Sequence, residues 1–349
     1  MAHPIAMKEI ALQAGVSLAT VDRVLHQREG VRATTRRRVE QACAELARQQ
    51  QQIGLTGRRV MIDLVMEAPE RFSRIVRETL GSAMRQARPA VFRAREHLAE
   101  TLSVADLVAV LDGIARRGSH GVLLKAPDVP EVNEAVLRLM KRGIPVVTLV
   151  TDLKGVPAHA YVGLDNQRAG ETAAYLMAQW MPSAKARAEV LVSSSGQRFQ
   201  GEDERIQAFT RTLATMRPAC KVHVLDKGRG LPGPTAASVR HLLASRPGVS
   251  AVYSVGGANQ AILAAFDKAG RACRPFIGHD LDADNLALLR AGRLSAVLHH
   301  DLHHDLHMAC LHFMQAQGLS AVGSQLMRSD IEVITPFNLP HVASIPLHP

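Results

Sequence analysis

Cysteine, long apolar runs and catalytic signatures are what this sequence has little of, and each shortage removes a class of protein. Its four cysteines, Cys43, Cys220, Cys273 and Cys310, stand far apart with no C-x-x-C pair among 349 residues. That spacing argues against a disulfide framework or a zinc ribbon and fits a reducing compartment. No run of about 18 apolar residues occurs, and the N-terminus lacks the apolar core of a signal peptide. A soluble, cytoplasmic protein that makes no use of a membrane is therefore expected. There is no Ser-His-Asp order, no P-loop, no H-E-x-x-H and no G-x-G-x-x-G after a strand; the lone glycine pair in "SVGGANQ" is too weak to stand for a phosphate loop. Neither an enzyme nor a cofactor is expected.

What is present is length and positive charge. A chain of 349 residues exceeds one ordinary core and suggests two or three domains. The net charge of +10 and pI near 9.9 favour an anionic partner. Residues 1 to 59 hold ten Lys/Arg against five Asp/Glu, so half of the excess lies in this short segment. Here apolar Met7, Ile10, Ala11 and Ala14 recur at helical spacing, and the pattern resumes at Val21, Val24 and Leu25. Two helices joined by a tight turn at Gly15 follow, with Ser17 as N-cap of the second. Leu18, Ala19, Asp22 and Arg23 then share its outer face, where they can meet a DNA groove. A third helix is expected from Thr34 or Thr35 to near Leu46.

The run "IALQAGVSLATVDRVL" followed by "GVRATTRRRVEQACAEL" closely resembles the helix-turn-helix headpiece of the LacI (lactose repressor) family of transcriptional regulators, without a gap over roughly 50 residues. The resemblance implies a DNA-binding head at 1–50 in which Leu18, Ala19 and Arg23 read bases while Ser17, Thr20, Thr35 and Arg36 hold phosphates. Leu18 and Ala19 suit thymine methyls, and Arg23 suits guanine. Asp22 departs from the usual serine and is expected to orient Arg23 or to accept from a cytosine amine. The hinge helix of the family is replaced by "ARQQQQIGLTGRR", in which glutamines and glycines read as a flexible linker at 51–59, and strong kinking of DNA by Leu55 is not expected.

From residue 60 to 349, apolar runs alternate with amphipathic stretches: "RVMIDLVM", "HGVLLKA", "IPVVTLV", "AEVLVSS", "SAVYSV" and "PFIGHD". This is the pattern of βαβ units and parallel sheets buried on both faces, with ligand sites at the C-terminal ends of the strands. "YVGLDNQRAGETAAYLM", "GEDERIQAF", "GGANQAILAAF" and "FIGHD" resemble the type I periplasmic sugar-binding fold that LacI-family regulators carry as a sensor. The fold class implied is an all-α head followed by an α/β two-lobed, periplasmic-binding-protein-like domain. By resemblance Asp152, Asn259, Asp280 and His300 contact a ligand. Phe72 suits stacking on a sugar ring, and Phe199, Gln200 and Asp203 line an altered pocket because Asp203 stands where an arginine is common; Arg205 is expected to brace its helix.

His299, His300, His303, His304, His307 and His312 include i, i+4 pairs of the kind that bind transition metals, but hydrogen-bonded structure is the more ordinary role of such a segment, and no metal is expected. The expected protein is a homodimeric regulator, a repressor, that binds a pseudo-palindromic double-stranded DNA operator under control of a small polar effector, a sugar or sugar derivative. A dimer rather than a tetramer is expected because no heptad-rich tail follows Pro336. The competing reading is a sugar receptor or sugar-acting enzyme with an incidental basic head.

Overall fold

The computed structural model describes residues 6–55, 57–157, 159–181, 188–320 and 328–340. The chain divides into a small unit, Met1–Val60 with Arg88–Val91, and a large one, Met61–Ala87 with Phe92–Pro349.

The small unit holds three helices: α1 (Met7–Ala14), α2 (Leu18–Leu25) and α3 (Ala33–Leu55). Gly15 ends α1 in the left-handed conformation, φ +62°, which only glycine adopts without penalty. Arg38 Nη2 closes the same turn by donating to the Ala14 carbonyl at 2.6 Å, so this arginine of the basic run is structural. Ile10, Val21 and Val39, one from each helix, are fully buried, with Ala11, Ala14, Val24 and Ala42 around them. The third helix does not stop near Leu46; its backbone continues to Leu55, through the stretch expected to be a flexible linker. Glutamine is a good helix former, and the one glycine inside the extension, Gly54, sits in the last turn, where its penalty of about 1 kcal/mol acts on few residues.

The large unit is an α/β body of two lobes. The first is a five-stranded sheet ordered β2-β1-β3-β4-β5, comprising β1 (Arg59–Glu67), β2 (Val91–Ala99), β3 (Gly121–Lys125), β4 (Val146–Leu149) and β5 (Ala160–Val162), with helices α4 (Glu70–Gln86), α5 (Val104–Arg117) and α6 (Pro130–Lys141). The second is a six-stranded sheet ordered β11-β10-β9-β8-β6-β7, comprising β6 (Glu189–Ser193), β7 (Lys221–Leu225), β8 (Val249–Ser254), β9 (Phe276–His279), β10 (Ala296–His299) and β11 (Glu332–Ile334). Its helices are α7 (Asn166–Trp180), α8 (Gln200–Met216), α9 (Pro232–Ser245), α10 (Asn259–Lys268) and α11 (Ala283–Arg290); α12 (Leu302–Ala316) returns to pack on α4.

Alternation along the strands fills two cores at once, because successive side chains point to opposite faces. Leu191 and Val252 meet α9 to α11 through Val239, Ile262, Phe266 and Leu289, while Val190, Val192 and Tyr253 meet α7 and α8 through Ala173, Met177 and Phe209. The pairs β1/β3, β3/β4, β4/β5, β6/β7, β6/β8, β8/β9 and β9/β10 are parallel, and β11 runs antiparallel to β10. Parallel order places the strand C-termini of both lobes along one edge, which fixes the position of the site.

Candidate functional site

On the small unit, Ser17 Oγ accepts from Thr20 N at 3.2 Å and so caps α2. The cap and the buried Val21 and Val24 turn Leu18, Ala19 and Arg23 outward; all three are exposed, Leu18 to 52%. Ser17 is also exposed, whereas Thr20, Asp22, Thr35 and Arg36 are half-buried. Asp22 does not orient Arg23: its carboxylate pairs with Arg28 Nη1 at 3.0 Å and with His26 Nδ1 at 3.1 Å.

On the body, the loops after strand ends enclose a cleft cavity of about 60 Å³, room for roughly four to six water-sized groups. Glu67 ends β1, Lys125 ends β3, Val150 and Thr151 follow β4, Ser195 follows β6, and His279 and Asp280 end the β9 run. Phe72 of α4, with Phe199, Glu202 and Arg205 at the start of α8, completes the wall together with Arg71, Glu100 and Arg229. Val150, Arg229 and Asp280 all have positive φ, 64°, 53° and 63°. Non-glycine residues held there store about 1–3 kcal/mol each, and such strain gathers at sites of function.

Charge is distributed in pairs. Lys125 Nζ donates to the Glu67 carbonyl at 3.0 Å and lies 3.4 Å from the centroid of Phe199. Burial pushes this ammonium down to about 8, against the pull of the Glu202, Glu67 and Asp280 carboxylates. Arg205 is 3% exposed; its Nε donates to Asn166 Oδ1 at 2.7 Å, and its Nη2 is buried without a partner. Glu202 accepts from Ser195 N at 2.7 Å, and Gly201 N donates to Thr151 Oγ1 at 3.1 Å, a bond between the lobes. His279 is held neutral by burial and by the nearby charge of Arg205, and its Nε2 pairs with Tyr253 Oη at 2.8 Å. Such a wall offers donors and acceptors side by side, which suits vicinal hydroxyls, each able to donate and accept.

Residues 73–304 match the family model described as a periplasmic binding protein domain, and residues 6–48 match that of the bacterial regulatory proteins of the lacI family. The chain belongs to the lacI family of bacterial regulatory proteins. Its body is similar to the glucose-galactose binding protein GanP of Geobacillus stearothermophilus, with 18% identity, a TM-score of 0.69, and coverage of 81% of this chain and 99% of that one. It is also similar to a candidate LacI transcriptional regulator of Bacteroides fragilis, with 17% identity, a TM-score of 0.70, and coverage of 80% and 98%. An ABC transporter solute binding protein of Agrobacterium vitis, crystallised with D-fucose, gives 18% identity, a TM-score of 0.70, and coverage of 82% and 98%. Likeness at these identities is likeness of fold. No curated protein matches the sequence.

In this lacI-family chain, the residues expected at the ligand separate into two groups. Phe72, Phe199 and Asp280 line the cleft cavity. Asp152, Gln200, Asp203, Asn259 and His300 do not. Asp152 is taken up by Thr148, by the Leu153 amide and by His159, which together hold its carboxyl below the usual range despite burial. Gln200 donates to Glu204 at 3.0 Å. Asn259 is buried against Asn285. His300, also buried, pairs with Asp305 at 2.6 Å, and Asp305 in turn binds Ser329, so this histidine ties together chain crossings between the lobes.

Arg205, expected to brace its helix, does so through Asn166 and also lines the cavity, while Asp203 does not reach it. In the histidine segment His303 and His307 stack at 6.5 Å, with His303 Nε2 and His307 Nδ1 buried without partners, and no group of three or more His, Cys, Asp or Glu placed to hold a metal occurs among the described residues. Sequence reading missed Glu67, Lys125, Glu202 and Arg229. A signal existed for Glu67 and Lys125, which are charges that terminate apolar strands on the ligand edge.

Proposed function

We propose that this lacI-family regulator acts in the cytoplasm as a homodimer on a two-fold symmetric operator, with operator affinity set by a small polyhydroxylated ligand in the body cleft. The observation that carries the reading is the cleft wall: Lys125 and the unpartnered Arg205 Nη2 stand as donors beside the Glu67, Glu202 and Asp280 carboxylates, with Phe72 as an apolar face. That the neighbours include a glucose-galactose binding protein and a protein crystallised with D-fucose supports a carbohydrate as the ligand. In the head, Leu18, Ala19 and Arg23 read bases, and Ser17, Thr20, Thr35 and Arg36 hold phosphates. Asp22, tied to Arg28 and His26, fixes the surface beside Arg23.

The bond from Gly201 N to Thr151 Oγ1 is one that closure of the two lobes makes and opening breaks. A ligand that prefers the closed body shifts that equilibrium, and through the dimer the spacing of the two heads. The test is selection of bound duplexes from a random DNA library by the full chain at two salt concentrations. A two-fold symmetric motif is the expected product. Salt-dependent binding without a motif favours the rival reading, a sugar receptor with a basic appendage.

A further inference from the structure

A second cavity lies at the mouth of the cleft. It is larger, about 500 Å³, and shares Pro69, Arg71 and Glu100 with the inner one, so the Arg71 side chain is the partition between them. Arg71 reaches across from α4 to pair with Asp282 at 2.6 Å, and its guanidinium lies so close over Gly257 that a Cβ there would collide with Nη2. A compact ligand bound within the inner cavity leaves the outer one unused. A ligand with an additional arm passing Arg71 fills both.

The polar groups of the outer cavity are mainly acceptors. Asn285 Nδ2 donates to the carbonyls of His279 and Asp280 at 2.9 and 2.7 Å, so its Oδ1 is the atom left to accept. It accepts from Asn259 Nδ2 at 2.7 Å, which fixes the orientation of that amide. Asn259 Oδ1 is thereby committed as an acceptor; it is buried and has no partner, on a residue only 5% exposed that lines this cavity. A buried acceptor left unpaired keeps its desolvation penalty until a donor arrives. Around it stand the carboxylates of Glu70, Glu100, Asp282 and Asp284 against a single cation, Arg71, which Asp282 already neutralises. The start of α10 opposes this acidic field by drawing anions, but it supplies no side-chain cation.

We propose that the mouth of the cleft is a second subsite that takes a protonated amine, so that the effector is a polyhydroxylated compound carrying an ammonium group. The proposal rests on the reading of the cleft as the effector site. The amine donates to Asn259 Oδ1 and is neutralised by Asp284 and Glu100, while the hydroxyl-bearing part occupies the inner cavity.

Three two-carbon probes of matched size test it in the full chain: ethanolamine, ethylene glycol and glycolate, compared by ligand-observed NMR titration and by soaking crystals. Ethanolamine is expected to bind about tenfold more tightly than the other two, with its nitrogen at Asn259 Oδ1, and Asp284→Asn is expected to remove that preference. Equal binding of the three, a preference for glycolate at the start of α10, or an ethanolamine preference that survives Asp284→Asn overturns the proposal. A titration of D-glucose, read by operator affinity, separates this outcome from the broader one. Glucose response without an ethanolamine preference rejects the amine subsite alone. Ethanolamine binding at Asn259 without a glucose response excludes glucose as the effector and leaves the subsite standing.

Discussion

Replacing Arg71 by methionine keeps most of the side-chain volume and removes the cation that neutralises Asp282. The two groups meet at 2.6 Å, with the carboxylate side chain 4% exposed and the guanidinium 24%. Breaking a fully buried pair from one side costs about 3–5 kcal/mol; partial exposure of Arg71 and the bond that Asp282 keeps with the Asn285 amide reduce the expected loss to about 2–3 kcal/mol. The loss depends on pH, and its sign follows from Asp282. Burial raises the carboxyl of Asp282 above its ordinary value while Arg71 pulls it down. A raised folded value means that the folded state holds the proton more tightly, so stability falls as pH rises through the window and recovers as pH falls. Without Arg71 the carboxyl rises further. The gap between wild type and variant should therefore be smaller at acid pH, where protonation of Asp282 removes the charge that Arg71 neutralises, and larger near neutrality. Urea unfolding followed by Trp180 fluorescence suits the assay, because the single tryptophan lies on α7 in the body. Adding Asp282→Asn to the variant should restore much of the loss. An equal loss at both pH values, or no rescue in the double variant, would refute the reasoning.

Arg23→Ala is expected to relax preference at one base pair of the operator by about 1–3 kcal/mol, whereas Arg36→Ala should weaken all DNA alike and reduce the salt slope by about one. Competition binding with mutated operators at several salt concentrations separates the two, and a sequence-selective loss for Arg36 contradicts its phosphate role. Ser17→Ala removes the α2 cap and should destabilise the head by about 1 kcal/mol, seen as a lower midpoint of its thermal transition in the full chain. For Lys125, charged below about 8, ligand affinity should decline as pH rises through that value, and Lys125→Met should flatten the calorimetric profile; a wild-type profile without this decline removes Lys125 from the ligand.

Most of the fold was legible because burial on both faces writes itself as uninterrupted apolar runs, as in "RVMIDLVM" and "IPVVTLV". Strands that lie at an edge escaped. The run "VFRAREHLA" looks too charged for a strand, yet Arg95 and His97 on β2 reach the buried Asp63 of β1, joined there by Arg117. A charged residue satisfied across a sheet is a tertiary fact, invisible to periodicity. The head was read nearly completely, since its caps and its turn glycine are local signals; the extension of α3 was missed because glycine and glutamine were weighted as linker composition rather than by helix propensity. In the cleft, Asp280 was legible as the end of a strand, while His300 and Asp152 were not separable from ligand contacts until their partners Asp305 and His159 were known. Lys125 and Glu67 lay at the edge named as the ligand edge, but nothing in one sequence distinguishes a strand-end charge that faces the cavity from one that faces solvent.

The most direct test of ligand-controlled DNA binding is the affinity of the full chain for its selected operator, measured by fluorescence anisotropy with and without the sugar that binds, in wild type and in Asp280→Asn. The account predicts that the sugar shifts operator affinity by roughly 5–150-fold in wild type, that operator shifts sugar affinity by the same factor, and that Asp280→Asn loses the response while still binding the operator. A sugar that binds the body yet leaves operator affinity unchanged would contradict it.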